Sequence, residues 1–180
     1  MTTVSIIGTA GRSGTKELYE QMIVAATIYL KSLPSPLIVV SGGAAFADHV
    51  AVHVYLNQST YNLNITELHL NLPCPFDMEK RRFHDTGVPD WRMNPGKVAN
   101  YYHDKFNQIT SGNSYDEIYE AIQRGAHIHI HSGFHDRNQY VAKSEYVLAF
   151  TFGKNEPEDG GTKHTWDLCK GKKYHISLAS

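Results

Sequence analysis

The chain has 180 residues, 41% hydrophobic and 19% charged, which is enough for one well-buried core and short for two domains. With 17 basic against 18 acidic residues its formal net charge is -1, so no overall attraction to a nucleic acid polymer is expected. No apolar run approaches a membrane span, Met1 leads straight into a strand pattern without a signal-peptide layout, and Cys74 and Cys169 lie outside any CxxC spacing. A soluble, cytoplasmic protein without a membrane partner, a disulfide scaffold or a cysteine zinc site is the expectation.

Val4 to Gly8 (VSIIG) reads as a compact apolar strand, followed by a loop of small residues, Thr9-Ala10-Gly11-Arg12-Ser13-Gly14. From Thr15 to about Ser32, Leu18, Met22, Ala25, Ala26 and Tyr29 recur at helical spacing until Pro34 and Pro36 stop the helix. Leu37 to Val40 is a second strand that empties into Ser41-Gly42-Gly43, and a small-residue apolar helix then runs to about Leu56. Ile65 to Leu72 alternates as a third strand. The order β-α-β-α-β predicts a mostly parallel sheet with right-handed crossovers and helices on both faces, a three-layer α/β/α arrangement.

Pro73 to Asn94 breaks the rhythm with charge, Pro, Gly and aromatic residues. Helices follow at about Pro95 to Thr110 and Tyr115 to Gln123, opened by Asn94-Pro95 and Asn113-Ser114. Residues 73–125 thus form an inserted loop-plus-helices segment within a single domain spanning 1–180, read as a lid or a contact in a homo-oligomer. Ala126 to His131 (AHIHIH) alternates as a strand. A helix from Asp136 to Ser144, a strand from Tyr146 to Phe152, a helix from Thr162 to Lys170 and a strand from Tyr174 to Leu178 complete the order.

In a parallel sheet the strand-to-helix turns open at one edge, so the glycine turns should converge there. Backbone amides at helix N-termini favour anions, and glycines let a ligand approach the backbone closely. The residues read as ligand-binding are Gly8, Thr9 and Arg12 from the first turn, and Ser41, Gly42, Gly43, Phe46 and Asp48 from the second. His131, Arg137 and Asn138 come from the third turn, with Gly160, Gly161, Thr162, His164 and Thr165 from the last. Hydroxyls of Ser41, Thr162 and Thr165 could hold phosphate oxygens, with Arg12 and Arg137 adding charge-assisted bonds. Asp48 is the candidate catalytic carboxylate.

Three of these turns carry a family resemblance. Ser41-Gly42-Gly43-Ala44-Ala45-Phe46-Ala47-Asp48 with Ala51 resembles the SGGAxGAD...A signature of the SLOG superfamily, in the YspA/YpsA-like branch related to Lonely Guy and DprA proteins. Asp136-Arg137-Asn138 before the apolar strand Val147 to Phe150 resembles that branch's RN element, and Gly161-Thr162-Lys163-His164-Thr165 its GTxHT turn. The resemblance implies a Rossmann-like domain that binds a nucleotide or nucleotide-derived small molecule as sensor or sequestering protein, with no cofactor required. A nucleotide hydrolase cleaving an N-glycosidic bond is the alternative. Phe46 stands where the pattern has glycine, and either narrows the pocket, stacks on a base or packs. Asp167 is only a loose counterpart of the Lonely Guy glutamate, so catalysis does not carry over.

His127, His129 and His131 point to one face of their strand, with His135 just beyond it. Same-face neighbours lie nearly 7 Å apart, and three ligands on one straight strand converge poorly on an ion, so no metal site is expected. Hydrogen-bonded histidines beneath the inserted helices are the preferred reading.

Overall fold

The computed structural model describes residues 1–179. Among the described residues six strands form one wholly parallel sheet, successive side chains of each strand pointing to opposite faces. They are β1 (Thr2–Gly8), β2 (Leu37–Ser41), β3 (Ile65–Leu72), β6 (His127–Ile130), β7 (Tyr146–Thr151) and β8 (Lys172–Ser177). Between β3 and β6 the two-residue strands β4 (Phe76–Asp77) and β5 (Arg82–Phe83) pair as a small antiparallel hairpin. The helices are α1 (Lys16–Ser32), α2 (His49–Leu56), α3 (Pro95–Thr110), α4 (Ser114–Gln123), α5 (Phe134–Val141) and α6 (Gly160–Leu168). This is a Rossmann-like α/β/α sandwich with an inserted segment. Among the described residues no helix is long and apolar enough to cross a membrane.

Spatially the strands run β6-β3-β2-β1-β7-β8. The chain therefore steps outward from β1 to β6, then crosses back to build β7 and β8 on the other side of β1. That reversal puts the topological switch point between β1 and β7, where connections leave a parallel sheet in opposite directions and a crevice forms. Val4 and Ile6 of β1 face the larger core, shared with α1, α2, α3 and α4, while Ile7 faces a smaller one against Val141 of α5 and Trp166 of α6.

The inserted segment is not a detached lid. Phe76, Phe83, Phe106 and Ile118 are buried in the larger core, so 73–125 is part of what holds the domain together. Its helices start where their capping residues dictate. The side chain of Asn94 accepts the Lys97 amide ahead of Pro95, and that of Asn113 accepts the Asp116 amide. Sequence periodicity does not reveal the β4–β5 hairpin, because two residues are too few to show an alternation.

One buried side chain ties the insertion to the second glycine turn. His103 of α3 is fully buried, with Nε2 2.9 Å from the Gly43 carbonyl oxygen and Nδ1 2.8 Å from the Ser114 hydroxyl. A carbonyl only accepts, so Nε2 carries the hydrogen and Nδ1 accepts from Ser114. Burial first, and next the neighbouring His49, pushes His103 down to about 3, against an ordinary value of 6.5. A folded value below the unfolded one means that the unfolded chain binds the extra proton between about 3 and 6.5. This contribution is therefore neutral above pH 6.5 and destabilises by about 1.4 kcal/mol per pH unit below it. Urea denaturation at pH 7 and pH 5 should show a loss of about 2 kcal/mol attributable to this residue. His103→Gln, which cannot titrate, should lose that much less over the same interval, and equal slopes for the two proteins would contradict the assignment.

Candidate functional site

The third and second turns meet through one guanidinium. Arg137, in the first half of α5, is only 8% exposed and lies over the Ser41-Gly42-Gly43 turn, where Nη1 donates to the Gly42 carbonyl. Its Nε donates to Asn138 Oδ1 at 2.9 Å. Asn138 Nδ2 in turn lies 3.2 Å from His164 Nδ1 and 3.4 Å from the Gly161 carbonyl oxygen, both on α6. Arg137, Asn138, Gly42, Gly161 and His164 thus form a continuous polar chain along the C-terminal edge of the sheet. Gly42 is needed there for space, since a Cβ would sit 2.8 Å from the guanidinium carbon and 2.9 Å from Asp48 Oδ2.

Asp48 lies beneath the same turn. It is 7% exposed, its Oδ2 accepts the Ala44 amide at 3.3 Å, and the same oxygen is 4.0 Å from Arg137 Nη1. Burial raises its carboxyl above the ordinary value, outweighing the lowering by Arg137, while burial lowers the Arg137 guanidinium. An aspartate so placed braces the turn and leaves little surface on which to touch a substrate. The arginine keeps a free capacity: among the described residues nothing accepts from its Nη2.

Hydroxyls expected to hold a ligand are spent within the protein. Ser41 is fully buried; its Oγ donates to the Asp48 carbonyl at 3.0 Å and accepts the Gly43 amide at 3.1 Å. Thr165 donates to the Gly161 carbonyl at 3.1 Å, and Thr9 accepts the Gly11 amide at 3.2 Å. Thr162 differs, being part-exposed on the first turn of α6. That helix opens without a side-chain cap, and Cβ atoms added at Gly160 and Gly161 would meet only open space, so side chains leave its first amides uncovered. His135 packs against His164, with ring centroids 4.3 Å apart.

For Phe46 the structure selects the packing alternative, and for His131 it shows where the ring lies. Phe46 is fully buried among Tyr19 and Phe106, with centroids at 6.2 and 6.4 Å, so its ring neither narrows a pocket nor stacks on a base. Its φ of 66° is a left-handed conformation, a strain of about 1 kcal/mol that ring burial offsets. His131 stands at the head of the third turn, with Nδ1 3.9 Å from Asp136 Oδ2. Its Nε2 donates to Asn71 Oδ1 at 2.8 Å and its ring stacks on Tyr140 at 4.1 Å, which places it on the sheet face under α5. Gly8 ends β1 at the switch point, and Arg12 stands exposed at the rim, with Nη2 3.5 Å from the Tyr102 hydroxyl and its carbonyl held by Lys105 at 2.6 Å.

The histidine row does share one face, as alternation dictates, but the face is opposite the inserted helices. It borders a groove of about 520 Å³ between the sheet and α5, lined in part by Ile38, Val40, His69, Asn71, His131 and Tyr140. Nothing in the one-strand pattern points to His69, which comes from the neighbouring strand. His103 likewise carries no sequence signal beyond being one of several aromatic residues on an amphipathic helix.

No family model matches the chain, and no solved structure matches it. It is 32% identical over 189 aligned positions to an uncharacterized protein of Acanthamoeba polyphaga mimivirus, an alignment covering 98% of this chain and 96% of that protein. Identity at this level over nearly the whole of both chains is common descent of one fold: the chain belongs to the same family as that mimivirus protein.

Proposed function

We propose that the glycine turns at the C-terminal edge of the sheet bind a nucleotide or nucleotide-derived small molecule, and that the protein serves as its sensor or sequestering partner. The observation that carries this reading is Arg137, a guanidinium buried at the edge whose Nη2 has no acceptor among the described residues. A buried cation with unused donors favours an anionic group, and the uncovered N-terminus of α6 favours the same charge. The resemblance of the three turns to SLOG proteins supplies the nucleotide character, and Thr162, His164 and the exposed Arg12 are the groups left to contact it. Hydrolysis is the weaker reading, because Asp48 is engaged in bracing its own turn.

A panel of nucleotides, cyclic nucleotides and inorganic phosphate, followed by thermal denaturation and by mass spectrometry of the denatured protein, tests the proposal. A ligand at a hundred times its dissociation constant stabilises by about 2.7 kcal/mol, which for this chain length raises the melting temperature by about 5–10 °C. The retained molecule should be recovered unmodified. A flat panel would remove the binding reading, and accumulation of free base or phosphate would replace the sensor by a hydrolase.

A further inference from the structure

A second cluster of chemistry lies on the sheet face, on the paired strands β3 and β6, with His127 at the start of β6 rather than at the end that feeds the third turn. Parallel pairing of β3 with β6 sets His69 beside His127 and Asn71 beside His129. Same-face side chains of adjacent strands approach far more closely than neighbours along one strand. The rings of His69 and His127 stack with centroids 4.5 Å apart and planes inclined by 7°. Both Nε2 atoms aim at one point, now held by Glu67 Oε1, at 2.9 Å from His69 and 3.4 Å from His127. One donor atom from each of Glu67, His69 and His127 falls within a 4.8 Å cluster.

The geometry points to a transition-metal site, of the zinc type, on the sheet face, with Glu67, His69 and His127 as its protein ligands. Donor atoms around a tetrahedral zinc ion stand about 3.3 Å apart, given bonds of about 2.0–2.1 Å, and two of the three separations here bracket that value. Two neutral imidazoles and a carboxylate suit zinc and its first-row neighbours, whereas magnesium and calcium prefer oxygen donors. Convergence arises across strands, which removes the objection that one straight strand spreads its histidines too far apart.

The surroundings supply the supporting bond that ligating imidazoles require. His69 Nδ1 lies 2.9 Å from His129 Nε2, so when Nε2 of His69 takes the metal, its Nδ1–H donates to His129 and fixes the ring. His129 is therefore a positioning residue. Three protein ligands leave a fourth coordination position for water or a small ligand, and Glu67 and His69 also line the groove of about 520 Å³. None of this depends on what binds at the glycine turns.

Full-length protein purified without a histidine tag, stripped with chelator and titrated with zinc by calorimetry, provides the test. About one equivalent should bind, with X-ray absorption showing only nitrogen and oxygen ligands at zinc–ligand distances near 2.0–2.1 Å. His127→Ala and Glu67→Gln should each abolish that equivalent, His129→Ala should weaken it about 10–100-fold, and His175→Ala, on β8, should leave it intact. Melting curves of the metal-free proteins check that each variant is folded. Magnesium should give no heat. Binding of less than about 0.1 equivalent of zinc, or the same stoichiometry in wild type, His127→Ala and His175→Ala, would overturn the site.

Discussion

Gly8→Ala should lower the melting temperature by about 10 °C, the largest effect expected of any single-methyl addition at the switch point. The new Cβ would run into the Phe150 carbonyl oxygen and the Ala47 methyl, with the Phe150 carbonyl carbon 3.0 Å away. Neither neighbour is a flexible side-chain end. The Phe150 carbonyl also accepts the Thr9 amide at 3.0 Å, and Ala47 donates its amide to the Thr9 carbonyl at 3.2 Å, so relief requires breaking bonds between β1, β7 and the second turn. The cost is about 3 kcal/mol, or about 2–4 °C for each kcal/mol in a chain of this size. Differential scanning calorimetry gives the number. A shift below about 3 °C would show that the β1–β7 junction yields more easily than its hydrogen bonds imply.

Arg137→Ala should cost about 3–5 kcal/mol and eliminate the ligand response proposed for the edge. Truncation leaves the Gly42 carbonyl without its donor, Asn138 Oδ1 without the Nε bond, and the buried Asp48 without its cation. The Asp48 carboxyl, already raised by burial, rises further in that variant. A carboxyl whose folded value lies above its unfolded one favours folding when protonated, so the deficit should be greatest near neutral pH. It should shrink as pH falls below the raised value. Denaturant titrations across pH resolve this sign. Arg137→Lys keeps the charge but not the planar fork, and should recover part of the stability without restoring both hydrogen bonds. If Arg137→Ala proved as stable as wild type, the polar chain from Gly42 to His164 would have no structural weight.

Most of the architecture is legible from local pattern. Proline stops after α1, the asparagine caps of α3 and α4, and the alternation of β3 are short-range signals, and each produces the element it dictates. What stays hidden depends on partners far along the chain. Ser41 and Thr165 carry the right hydroxyls in the right turns, yet both are bonded within those turns, a fact set by turn geometry rather than residue type. His127 and His129 show their common face in sequence, but Glu67 and His69 join them only through the β3–β6 register. The direction of the Phe46 ring is hidden for the same reason. Its inward turn is fixed by Tyr19 and Phe106, 27 and 60 positions away.

That ring has a further consequence. A Cβ at Gly14 would lie 2.7 Å from the edge of the Phe46 ring, and the ring cannot swing aside because it is enclosed by the core. Gly14 and Phe46 therefore share one volume, and only one of the two positions can hold a large group. A lineage exchanging this phenylalanine for glycine acquires room in the first turn, whereas one that first adds a side chain at position 14 meets a destabilised intermediate. Packing thus prescribes the order in which the two positions change as well as the residues they accept.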